Sequence, residues 1–200
     1  MWAPGSNPWG SWRFMDGSVR FSYVQIRTTA SVLFAQPPSN PIAKIYDDDL
    51  STIESELVPL VEAMPEAKFG FAPKGGEFKG ARTFAQQATH VASVNYACAA
   101  AMLGEKNPVD MGVAENGPAS LKSKAEIVKY VKDSFAYTHK AMAKLSEKGL
   151  TELMTSAFDS KKQAPRASMA SVPVWHSFDH YGQMVIYARM NGVVPPASRR

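Results

Sequence analysis

The chain has 200 residues, of which 45% are hydrophobic, enough for one well-buried core and too short for two full domains. Its formal charge of +4 is mild, and the lysines of the stretch 122–132 alternate with acids rather than forming a basic face with interleaved aromatics, which argues against nucleic-acid binding. One cysteine, Cys98, excludes an intrachain disulfide framework and a cysteine-rich zinc knuckle, and no apolar run is long enough to span a bilayer.

Residues 1–44 resist a periodic reading. Gly, Pro, Ser and Trp are mixed from Met1 to Trp12, and PPSNP follows at 37–41. This segment reads as an N-terminal arm or a processed leader. Phe21 to Ala35 has the outline of a signal peptide, with a basic residue upstream and a small residue before Gln36, but Gln25 and Arg27 interrupt its apolar run. Localisation is therefore cytoplasmic by default, and exported if residues 1–35 act as a signal.

From Ile45 onward, apolar residues recur at three- and four-residue spacing, the pattern of amphipathic helices. The first helix is expected from Asp47 to Met64, opened by three aspartates, closed by Pro65, and carrying Ile53, Leu57, Leu60, Val61 and Met64 on one face. A loop, 66–80, includes KGGEFKG, which lacks the spacing of a phosphate loop and reads as a connector. The second helix begins at Thr83, where Thr-Phe-Ala-Gln forms a capping box, and ends at Gly104. A polar turn leads to a third helix from Ser123 to about Leu145, with a second capping box and a stripe of Ile127, Val131, Phe135 and Met142. A short helical piece near Leu150 to Phe158 and a basic loop, 159–168, come next. The last helix is expected from Ser171, with Pro173 in its first turn, to Asn191-Gly192 before Pro195-Pro196. Four helices of matched length make an all-α four-helix bundle at residues 45–200.

Of four histidines, His176 and His180 stand four apart on the last helix and so lie on one face, a turn from each other. Two imidazoles at that spacing can close on one metal ion. A third ligand must come from another helix, and His90 is the best placed, in mid-helix beside the stripe of Phe84, Val91 and Cys98. Three histidines leave a coordination position for water or substrate. The competing reading keeps His90 as a hydrogen-bonded core histidine and His176 and His180 as half-exposed surface residues, because HxxxH without a flanking glutamate is a weak motif.

His139 reads as a surface residue, with a fourth-ligand role as the alternative, and Cys98 as a small buried hydrophobe rather than a nucleophile. Gln183 and Tyr187 follow His180 at helical spacing, as donors behind the ligands or as packing residues. Asp179 points to solvent or a neighbouring loop, and Arg189 complements the helix dipole.

ATHVASVNY in the second helix and HSFDHYGQMVIYARMNGVVPP at the end resemble the DinB-like family of metal-binding four-helix bundles, with similarity over about 42–198. The resemblance implies that His90, His176 and His180 ligate a divalent ion, with zinc or nickel the leading identities. It also implies an enzyme that activates a small thiol, or another small-molecule substrate, as a metal-dependent transferase or hydrolase, and a homodimer. No general base or thiol-recognition motif is assigned. The alternatives are a non-catalytic metal-binding or interaction module and an exported bundle that has lost its metal.

Overall fold

The structure is a computed structural model that describes residues 40–199. Of the arm or leader expected over 1–44, residues 1–39, with the signal-like stretch, lie outside the described residues, and Pro41 to Lys44 are helical. The described chain folds as four long helices, α1 (Pro41–Ala63), α2 (Phe84–Leu103), α3 (Lys124–Met142) and α4 (Arg166–Met190), with one short hairpin of β1 (Leu153–Thr155) and β2 (Gln163–Pro165) between the last two. No helix among the described residues is long and apolar enough to cross a membrane.

α1 starts six residues before the expected Asp47. The Asn40 side chain caps it by accepting from the Ala43 amide at 3.1 Å, and Pro41 supplies a preset φ at the first helical position. An Asn-Pro start is a stronger boundary signal than a run of acids, so the aspartates fall in the helix body, where Asp48 pairs with Lys44 at 2.6 Å. α2 and α3 begin where their capping boxes place them, at Thr83 and Ser123, and Gly104 closes α2 as expected. α3 ends three residues short of Leu145, which still packs into the core. At the end of α1 the Lys124 ammonium, reaching over from α3, donates to the carbonyls of Glu62 and Met64 at 2.6 and 2.8 Å, satisfying acceptors that the helix itself leaves free.

Two expectations in the 150–173 region do not hold. The stretch 150–158 is not helical beyond a single 3-10 turn at Lys148–Thr151; it continues into the hairpin, with Leu153 opposite Pro165 and Thr155 opposite Gln163. The Ser156 hydroxyl and the Asp159 carboxylate each accept a backbone amide two residues on, local bonds that favour a turn over a helix. α4 then begins at Arg166 rather than Ser171, so Pro173 lies inside the helix, buried, where it cannot donate to the carbonyl four residues back.

α2 packs on α3 and α4, and α1 packs on the same two, so α1 and α2 stand across a diagonal. Sixteen of the 20 residues of α2 are buried, which makes it the central helix, and its Ala88, Ala92, Ala99 and Ala100 let the neighbours approach closely. Leu50, Ile53, Leu57 and Leu60 from α1, Phe84 and Val91 from α2, Val131 and Phe135 from α3, and Met184 from α4 are fully enclosed. Removing a side chain such as Phe135 from such a core costs about 3–5 kcal/mol. That packing fixes α2 against α4, the two helices that carry the three clustered histidines.

Candidate metal centre

His90 comes from the first half of α2, and His176 and His180 from successive turns of α4. His90 and His180 are buried and His176 is half-buried. The Nε2 atom of His176 lies 3.2 Å from that of His90 and 3.1 Å from that of His180. Three nitrogens around one divalent ion at 2.0–2.1 Å stand about 3.3 Å apart in tetrahedral geometry. Two of the three edges therefore have the length such an ion requires, and all three donor atoms lie within 4.8 Å of one another.

Its hydrogen bonds fix which nitrogens carry lone pairs inward. His90 Nδ1 is 3.2 Å from the Glu115 carbonyl oxygen, which can only accept, so Nδ1 holds the proton and Nε2 the lone pair. For His180 a longer chain does the same. The Asp179 carboxylate accepts from Gln183 Nε2 at 3.3 Å, Gln183 Oε1 accepts from Gln87 Nε2 at 3.0 Å, and Gln87 Oε1 accepts from His180 Nδ1. Because the carboxylate can only accept, it sets the polarity of the whole chain and leaves Nε2 of His180 unprotonated. Two inward lone pairs thus face the Nε2 of His176, whose own Nδ1 is buried without a partner among the described residues. One proton on that Nε2 can be directed to one neighbour at a time. A cation among the three nitrogens would satisfy all of them at once, so the donor set fits a divalent ion.

The electrostatics agree. Burial, followed by the neighbouring imidazoles and the Arg82 charge, pushes His176 down to about 3; burial and the same neighbourhood push His180 down to about 4, and burial with Arg82 also lowers His90. All three imidazoles are thereby favoured in the neutral form, His176 and His180 well below the ordinary range of histidine.

A tight loop covers His90. Arg82 donates from Nε to Asn116 Oδ1 at 2.8 Å and from Nη2 to the Ala114 carbonyl at 3.0 Å, and Thr89 Oγ1 donates to the Asn116 carbonyl at 2.6 Å. The loop closes at Gly112 and Gly117: a Cβ on Gly112 would lie 2.0 Å from the Gly117 carbonyl oxygen, and both have positive φ. Ala114 (φ 53) and Glu115 (φ 60) are also left-handed, an unfavourable conformation for side-chain-bearing residues that is held at the edge of this site. The Glu115 carboxylate lies 3.8 Å from His90 Nδ1, on the ring edge away from the nitrogen cluster.

Among the described residues, the one group of three or more metal-ligating side chains that converges is His90, His176 and His180. His139 does not join it. Its Nδ1 meets Asp47 at 2.5 Å and its Nε2 meets Glu54 at 2.9 Å, which ties α3 to α1 and excludes the fourth-ligand alternative. Cys98 is fully buried and its thiol is pushed up to about 12 by burial, as a small hydrophobe. Tyr187 packs its ring edge-on against Phe71 at 5.7 Å, a core role, whereas Gln183 takes the supporting position behind a ligand. Arg82, Gln87 and Glu115 were not singled out in the sequence. Gln87 carried a signal, three residues before His90 on the same helix face, but nothing local announces a left-handed glutamate.

A cavity of about 510 Å³ opens elsewhere, lined by Ala97, Ala101, Glu105, Met154 and Arg166. It lies near the C-terminal end of α2, about 18 Å along the helix from His90 at the usual rise. Its one guanidinium is already bonded to the Met102 carbonyl, so this cavity offers room without the donor chemistry of the histidine cluster.

A family model, that of the DinB superfamily, matches residues 49–184, a stretch that contains all three clustered histidines. The chain belongs to the DinB superfamily. Its fold is similar to the crystal structure of a DinB-like protein from Bacillus cereus ATCC 10987, with a TM-score of 0.60 at 15% identity over 76% of this chain and 95% of that one. No curated protein matches the chain. The all-α bundle expected from helical periodicity is thus a DinB-type bundle, and its histidine cluster fits a metal-binding member.

Proposed function

We propose that this DinB-superfamily protein is a metal-dependent enzyme, a transferase or hydrolase acting through a divalent ion held by His90, His176 and His180. The observation that carries the reading is the cluster of three Nε2 atoms, that of His176 lying 3.2 and 3.1 Å from those of His90 and His180, with the opposite nitrogens of His90 and His180 committed as donors. When bound, such an ion lowers the pKa of a coordinated water or small thiol and so supplies a nucleophile near neutral pH. With three protein ligands, a position is left for that molecule, as in catalytic rather than structural zinc sites. Imidazole donors suit zinc or nickel, with availability deciding between them.

The chain's own part is to hold and orient. The Glu115 carbonyl and the Gln87–Gln183–Asp179 chain fix the two buried rings and keep their inward nitrogens free of protons. Burial keeps the triad neutral, and the half-buried face of His176 is the side from which a small molecule reaches the ion. A second reading, a non-catalytic metal-binding module, is favoured by the burial of two of the three ligands and by their origin on two helices, which an ion would pin together.

The experiment is a turnover screen on zinc- and nickel-loaded protein, with small thiols plus electrophiles for transfer and with activated esters for hydrolysis, beside His176→Ala. Turnover in the loaded wild type that is absent from the variant supports the enzyme. A full complement of metal without turnover on either substrate set favours the binding module.

A further inference from the structure

We propose that Arg82 is the anion-recognition residue of this centre, and that the site takes a small ligand with two ends, one a donor atom for the ion and the other a carboxylate for the guanidinium. This deepens the metal-dependent reading and rests on it. Arg82 immediately precedes the capping Thr83 of α2 and is half-buried. Its Nε and Nη2 are bound to Asn116 and Ala114, the residues on either side of Glu115, whose carbonyl receives the His90 proton. Guanidinium and ligand imidazole are therefore anchored to three consecutive residues of one tight loop.

Those two bonds fix the plane of the guanidinium, and among the described residues its remaining N–H donors have no partner, which suits a planar, two-oxygen ligand. Among the described residues Arg82 has no carboxylate within ion-pair distance; the nearby Glu115 carboxylate is turned to His90 instead. A guanidinium serving only to staple the loop would gain from an acidic neighbour, whereas an unneutralised one beside a metal centre is suited to a ligand's charge. Its positive charge also disfavours protonation of all three imidazoles, on both helices. A single extra positive charge next to a divalent ion suits one carboxylate better than a polyphosphate. The consecutive left-handed residues Ala114 and Glu115 are what turn both acceptors to Arg82 and the intervening carbonyl to His90.

The test compares two probes on the zinc-loaded full chain by calorimetry, 3-mercaptopropionate and the uncharged 3-mercaptopropanol, with zinc content measured on each sample. In the wild type the acid is expected to bind about tenfold more tightly, the size of one charge-assisted hydrogen bond. Arg82→Gln should bring the two affinities together at unchanged zinc content, and Arg82→Lys, which retains the charge without the planar fork, should keep part of the preference. If Arg82→Gln also loses zinc because the loop opens, the wild-type and Arg82→Lys comparison decides. Equal affinities in the wild type, a preference that survives Arg82→Gln, or no binding of either thiol at one zinc per chain overturns the proposal and leaves the metal centre standing. Failure of the wild type to take up zinc overturns both.

Discussion

The molecule uses histidine in two opposite ways. At the α2–α4 contact, the Nε2 atoms of His90, His176 and His180 face one another, those of His90 and His180 presenting lone pairs; at the α1–α3 contact, His139 sits between two carboxylates, Asp47 and Glu54, and is pushed up to about 9, chiefly by its bond to Glu54. The difference lies in the partners. A carbonyl or an amide oxygen behind an imidazole selects a tautomer without supplying charge, and burial then disfavours the proton; a carboxylate on each side does the reverse. The first arrangement makes lone-pair donors for a cation, and the second makes a cation that ties two helices.

Gln87 is where that contrast is most easily broken. Gln87→Ala removes the acceptor that fixes His180 and disconnects Gln183 and Asp179 from the ligand, so metal affinity should fall about 10–100-fold, as for the loss of other groups that orient metal ligands. Competition with a chromophoric chelator measures it. Unchanged affinity would mean that packing alone orients His180.

The two sites should also shape the pH dependence of metal-free protein in opposite directions. The His139 pKa is raised above its unfolded value of about 6.5, so its contribution is fully present below that pH and is lost as pH rises through about 9. The pKa values of His176 and His180 are depressed, so their contribution is full above about 6.5 and is lost as pH falls towards about 3–4. Urea denaturation across pH should show stability declining on both sides of neutrality. His139→Gln should flatten the alkaline limb and cost about 1–2 kcal/mol near pH 6, a figure reduced for the partly exposed carboxylates. An alkaline limb that persists in this variant would assign it to other groups.

A smaller effect is expected at Glu115. Its carbonyl, not its side chain, holds His90, and its φ of 60 is unfavourable for a residue with a Cβ. Glu115→Gly should keep metal affinity and raise stability by up to about 1 kcal/mol, the left-handed penalty less the entropy of a glycine. Thermal denaturation with metal titration checks both; a loss of affinity would give the carboxylate a direct part in the centre.

Much of this was legible in the sequence where the signal was local. The capping boxes at Thr83 and Ser123, the glycine after Leu103 and the i, i+4 spacing of His176 and His180 are statements about neighbouring residues, and they placed two helix starts and two of the three clustered histidines. His90 could be put on the right helix, but its distance from α4 depends on packing across the bundle. α1 starts before the expected Asp47 because Asn40-Pro41 is a stronger start than a run of aspartates, and α4 starts before the expected Ser171 because the core tolerates Pro173 mid-helix. Arg82 and Glu115 stayed hidden for a different reason. Their roles depend on a loop closed by Gly112 and Gly117, and backbone conformation at Ala114 and Glu115 leaves no mark in residue type.

The central claim, that the three histidines form one metal site, is tested most directly by elemental analysis of purified protein after zinc or nickel loading, with His90→Ala and His176→Ala handled identically. The account predicts about one ion per wild-type chain and none retained by either variant while both remain folded. A wild type that takes up no ion, or variants that keep it, would contradict the account.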